Sequence, residues 1–209
     1  MIGRETLPMH WPLRTHLRPQ PFVPLSVSFR LLGLLPLLFF LAQAFYYLRR
    51  GEAGHILWLC NIGNLLLAIG LLFDQPVLIR VAAVWLIPGL GLWFWFAVYQ
   101  WGFMFTSTLA HVGGLAVGLA ALARVRVDRR TWLHAFIWYL FMQQLCHFIT
   151  PAALNVNISH KVYEGWEGRF DYGQFWLLTT FLVACALWLI VKLCAKLWPP
   201  RKSFAAAPV

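Results

Sequence analysis

Acidic residues are scarce in this chain: seven in 209, against seventeen Lys and Arg, with charge of both signs making up only 11% of the sequence. So little charge excludes an ordinary soluble globular domain. Cysteine is sparse too, with four residues and no C-x-x-C pair, which leaves a zinc site or a thioredoxin-like redox centre without support; no metal ligand set is read. No phosphate loop and no dinucleotide fingerprint occur. Nor does any apolar stretch before Phe29 have the form of a cleavable signal peptide.

Apolar side chains are abundant. With 61% hydrophobic and 17% aromatic residues and a mean hydropathy of +0.68, the chain reads as a polytopic membrane protein. A hydrocarbon core of roughly 30 Å needs about 20 residues of helix. Runs near 29–48, 55–74, 77–99, 103–123, 131–152 and 173–196 meet that need. The expected fold is therefore all-α, a bundle of six transmembrane helices over 29–198. A basic segment, 1–28, with Arg4, Arg14, Arg18 and five prolines, is expected to be cytoplasmic or to lie along the membrane surface. A cytoplasmic tail, 199–209, is expected to follow.

The formal charge of +10 is carried at helix ends, so it argues for topology and against nucleic acid as a partner. Arg4, Arg14, Arg18 and Arg30 precede the first run, Arg124, Arg126, Arg129 and Arg130 fill the fourth connection, and Lys192, Lys196, Arg201 and Lys202 close the chain. In a six-helix bundle all three clusters share one side. The positive-inside rule then places both termini in the cytoplasm, with a bacterial inner membrane as the expected location and membrane lipids as the expected partners. Arg49 and Arg50 run against the pattern.

This topology gives depths to the polar residues inside apolar runs. Cys60 falls roughly 8 Å below the outer end of the second run, His111 roughly 12 Å below that of the fourth, and His147 roughly 8 Å from the exit of the fifth. Residues three or four apart share a helical face, which supplies Asn64 to Cys60, Ser107 to His111, and Gln143 and Gln144 to His147. Polar groups in lipid are costly unless they face the bundle interior, so an inward polar chamber is expected. The bland readings stand beside this one. A lone Cys in an apolar helix is more often inert filler, which is the reading for Cys146, Cys185 and Cys194. A membrane His can serve as a structural interhelical bond, which applies to His147 as much as function does. His10, His16, His55 and His160 read as interfacial, and the twelve tryptophans, Trp93 and Trp176 among them, as anchors and filler. Gly113, Gly114 and Gly118 are small residues that let helices approach closely, and Pro151 ends the fifth run.

Leu57-Trp58-Leu59-Cys60-Asn61 with Asn64, then His111-Val112-Gly113-Gly114, then Asn155-Val156-Asn157 beyond a Trp-rich helix and a Tyr-Gly-Trp-like patch, occur in this order. The order resembles the YwaF-type family of bacterial integral membrane proteins. More distantly it is similar to the mammalian transmembrane acyltransferase family that remodels ether phospholipids. The resemblance covers about residues 50–196, and Asn61 departs from it where an acidic residue is common among bacterial members. It implies acyl transfer by Cys60 and His111, with Asn155 and Asn157 as the Asn-x-Asn element.

A buried thiol needs a proton acceptor before it can attack an ester, and His111 is the natural one. On this reading Asn61 or Asn64 donates to the developing oxyanion, Asn155 or Asn157 orients the imidazole or a head group, and no cofactor is needed. Two alternatives from other classes remain open. His111 and His147 are placed to act as axial ligands of a haem, as in membrane cytochromes. A non-catalytic subunit or small-molecule carrier would have a polar cavity and no essential thiol.

Overall fold

The computed structural model describes residues 24–199, and every element over them is helical. The expectations for Arg4, Arg14, Arg18, His10, His16, Arg201, Lys202 and the rest of both terminal segments fall outside these residues. Six long helices follow one another: α1 Val27–Arg49, α2 Leu59–Leu72, α3 Pro76–Phe96, α4 Phe105–Val125, α5 Thr131–Ile149 and α6 Tyr172–Leu197.

Among the described residues, four stretches are long and apolar enough to cross a membrane: α1, Pro76–Tyr99, α4 and α6. Large side chains on the outer helices face outward, among them Leu38, Leu41 and Phe45 on α1 and Phe181, Leu189 and Leu193 on α6. Such apolar surface identifies a helical membrane protein, because water would oppose it and lipid does not. The second and fifth expected spans differ from the other four. α2 is only 14 residues long, because Ala53–Leu57 form a 3₁₀ turn and Trp58 (ψ 134°) interrupts the helix before Leu59. Cys60 therefore stands in the first turn of α2 rather than partway down a helix starting at residue 55. α5 has 19 residues but carries His134, Gln143, Gln144 and His147, which lower its hydropathy.

Local chemistry accounts for the element ends. Pro36 sits in the first turn after the break at Leu32 and Gly33, where its missing N–H has no helical partner to lose. Pro151 forces the preceding Thr150 into extended backbone (φ −108°, ψ 148°), so α5 stops at Ile149. Asp171 starts α6 with a capping box, its carboxylate accepting from Gln174 N at 2.8 Å.

The core lies where α2, α3 and α4 meet, with α5 and α6 closing it: Leu67, Leu71, Ile79, Ala83, Leu86, Leu122, Ala135 and Leu187 are almost fully buried. Gly118 lets α4 approach the Ala83 backbone of α3, and Gly113 faces the Phe39 ring of α1. Trp85 Nε1 donates to Ala135 O at 2.9 Å and its ring stacks on Tyr139, which ties α3 to α5. One end of the bundle is basic. There Arg30 Nε donates to Leu72 O (3.0 Å), Arg80 pairs with Asp128 (2.6 Å), and Arg124 lies over Phe29.

Candidate functional site

The far end of the bundle gathers the polar residues. Cys60 is half-buried and lies against α3, where a Cβ built on Gly89 would meet its Cβ at 3.6 Å. Four residues on, on the same face of α3, Trp93 stacks on His111 of α4 with ring centroids 5.2 Å apart and planes at 17°. Cys60 and His111 thus pack against one strip of α3, on Gly89 and Trp93, which lie about 6 Å apart along its axis. Asn64 closes the third side. Fully buried, it donates one N–H to Cys60 O at 2.9 Å and the other to Ala110 O at 3.0 Å, joining the thiol's helix to the residue before His111.

These bonds fix what each amide can do. Both N–H groups of Asn64 are engaged, so its oxygen must face away from the two carbonyls; it lies against Gly114 and has no hydrogen-bond partner. Asn61 donates to His55 O at 3.0 Å and keeps one N–H without a recorded partner, while its buried oxygen has none. Of the two asparagines beside Cys60, Asn61 retains a donor and Asn64 is a brace.

His111 stands in a π turn, Leu109–Gly113, with 6% of its surface exposed. Such turns widen the helix and are frequent at functional sites. His111 Nδ1 lies 2.8 Å from Ser107 O, so Ser107 holds the ring through its main chain. A carbonyl can only accept, which assigns the proton to Nδ1 and leaves a lone pair on Nε2. That is the tautomer of a base.

The Asn-x-Asn element serves the backbone. Asn157, buried and at φ 54°, accepts from Leu59 N (3.1 Å) and donates to Leu57 O (2.9 Å) and Cys146 Sγ (3.2 Å). It pins the start of α2 beside Cys60. Asn155 shapes its own loop, accepting from His160 N (3.0 Å) and Lys161 N (3.1 Å). Neither asparagine has a recorded hydrogen bond to His111. Replacing Asn157 with Ala leaves the Leu59 N–H without its acceptor, and we expect a loss of about 2 to 4 kcal/mol. Reversible unfolding in mixed micelles measures it, and a change below about 0.5 kcal/mol, the size of an ordinary surface substitution, contradicts the role.

His147 is held elsewhere, on α5. Its Nδ1 donates to Ser159 O at 2.8 Å and its ring lies 5.0 Å from that of His160. The recorded neighbours of His111 and His147 are different residues. Among the remaining thiols, Cys146 accepts from Asn157, Cys194 belongs to the core and Cys185 is exposed. Near the first connection, the Arg50 guanidinium hydrogen-bonds the Glu52 carboxyl and holds it below its usual range.

An apolar groove of about 680 Å³ opens beside the His111 face, lined by Ile87, Leu90, Gly91, Trp93, Phe94, Phe103, Thr108 and Val112. Trp93 and Gly89 were not among the site residues anticipated from sequence. Their spacing, a Gly and a Trp four apart on one helix, puts a gap and a ring on one face, but in an apolar run rich in both residues it does not stand out.

Fold and site together define a helical membrane protein with a Cys, a His and two Asn gathered in its interior. No family model matches the chain, no curated protein matches it, and no solved structure matches it.

Proposed function

We propose that this protein is a thiol-dependent acyltransferase acting on membrane phospholipids, of the kind the YwaF-type resemblance implies. The observation that carries the reading is the placement of Cys60 and His111 on one strip of α3, against Gly89 and Trp93, with Asn64 bracing both. In the proposed membrane arrangement all six helices cross. The 3₁₀ turn Ala53–Leu57 and α2 together reach about 30 Å, and α5 completes the bundle. The basic end faces the cytoplasm of a bacterial inner membrane and holds both termini. The Cys60 end then lies in the outer half.

Cys60 Sγ gives its proton to His111 Nε2 and attacks the carbonyl carbon of an acyl ester. The first turn of α2 places helix-end dipoles beside the forming anion, and the remaining Asn61 N–H is the donor for the oxyanion. Collapse of the tetrahedral intermediate breaks the carbon–oxygen ester bond, the lysolipid alkoxide takes the proton back from His111, and a thioester remains on Cys60. The hydroxyl of an acceptor lysolipid reverses these steps. The apolar groove beside His111 suits the donor's acyl chain.

Incubating the full chain in nanodiscs with radiolabelled phospholipid tests this chemistry. Acid quenching should trap a label released by hydroxylamine at neutral pH, and Cys60→Ala should reduce trapping to background. Undiminished labelling of Cys60→Ala sinks the mechanism.

A further inference from the structure

A second site lies where the acyl chemistry has no use for it, in the cleft between the far ends of α5 and α6. A cavity of about 220 Å³ is lined by Gln144, His147, Tyr172, Gly173 and Trp176. The side chains are held by one loop carbonyl: Ser159 O accepts from His147 Nδ1 at 2.8 Å and from the Tyr172 hydroxyl at 2.7 Å. Both groups have therefore used their protons. His147 is left with a lone pair on Nε2 and Tyr172 with lone pairs on its oxygen. Trp176 is occupied in the same way, its indole N–H donating to Gln143 Oε1 at 2.7 Å. Gln144, exposed and without a recorded hydrogen bond, is free to turn its amide oxygen inward. The cleft thus offers three acceptors and two aromatic faces, and its one remaining side-chain donor is the Gln144 amide.

An anion finds little to bind there. A primary ammonium fits, since it carries three N–H donors and a positive charge that aromatic faces attract. Local charge is balanced: Glu52, Glu164, Glu167 and Asp171 at this end are matched by Arg49, Arg50, Lys161 and Arg169, so the selectivity has to come from the acceptors and rings of the cleft itself. Asp171 already answers the start of α6 through its capping box, which offsets the positive end of that helix dipole beside the cleft.

From this geometry we infer that the α5–α6 cleft binds a primary ammonium group, carried either by a lipid head group of the ethanolamine type or by a free alkylamine. The site is independent of Cys60 and of acyl transfer. A quaternary ammonium is disfavoured because it has no N–H to give to His147, Tyr172 and Gln144.

Native mass spectrometry of the full-length protein, released from micelles with equal amounts of phosphatidylethanolamine and phosphatidylcholine, tests the inference. The expected result is a preference for phosphatidylethanolamine of about tenfold, the worth of one charge-assisted hydrogen bond. Tyr172→Phe and Gln144→Leu should each remove most of it. Gln144 is exposed, so Gln144→Leu should leave thermal unfolding unchanged while the lipid preference falls, which separates loss of the site from loss of the fold. A parallel titration with free ethanolamine separates the sources: binding of the amine without a lipid preference supports the cleft as a soluble-amine site. Equal binding of both lipids together with no ethanolamine binding overturns the inference. So does a preference that survives both substitutions.

Discussion

Gly114→Val is expected to destabilise the bundle by at least about 3 kcal/mol, since overpacking alone costs about 1 to 3 kcal/mol and a buried polar network is disturbed as well. A Cβ at Gly114 would fall well inside contact distance of Asn64 Oδ1 and close to the rest of that amide. The amide cannot swing away cheaply, because both of its N–H groups hold carbonyls of two different helices. Either α4 retreats from α2, or Asn64 releases Cys60 O and Ala110 O. Equilibrium unfolding in micelles should show the loss, and trapping of acyl-enzyme should fall with it. A double-mutant cycle with Asn64→Ala isolates the clash: removing the amide makes room, so the two substitutions together should cost clearly less than their sum. Additive costs would falsify the claim that Asn64 is what Gly114 accommodates.

His111→Phe should lower the acyl-transfer rate by about 10²- to 10⁴-fold, the usual contribution of a positioned general base. Phe keeps an aromatic ring against Trp93, so the stacking that seats residue 111 on α3 survives while the Nε2 lone pair and the Nδ1 proton are lost. The design separates packing from chemistry. Unfolding should change little beside the rate, and affinity for a non-hydrolysable ether-linked lipid should stay close to that of the unsubstituted protein. A variant that keeps its rate within about threefold, less than a single acid–base interaction supplies, removes His111 from the mechanism. If rate and stability fall together, His111 is a structural plug of the π turn.

Much of the fold was legible because lipid imposes simple requirements. Long apolar runs mark helices, Pro151 marks the end of α5, and the clustering of Arg and Lys marks one end of the bundle. The second helix was not legible in the same way. Residues 55–74 are apolar enough to read as one segment, yet Trp58 turns into extended backbone once Asn157, about a hundred residues later, engages the Leu57 carbonyl and the Leu59 amide. No local pattern encodes a partner so distant. The site shows the same division. Cys60, His111 and Asn64 stood out as polar residues in apolar runs, whereas Trp93 and Gly89 carry no such contrast and reveal themselves only through what faces them. Asn61 and Asn64, equivalent in sequence as amides near a thiol, differ in how many of their N–H groups the neighbouring carbonyls already hold.

Composition and residue order suffice to specify a helical membrane protein with a basic end and a small set of polar residues that lipid would not tolerate facing outward, because the cost of charge and unpaired polar groups in hydrocarbon depends on nothing more distant. Which of those residues share a face of α3 and which amides remain free emerge with the packing, because they follow from distances between helices far apart in sequence, while the lone pair of His111 follows from its local bond to Ser107 O in the π turn.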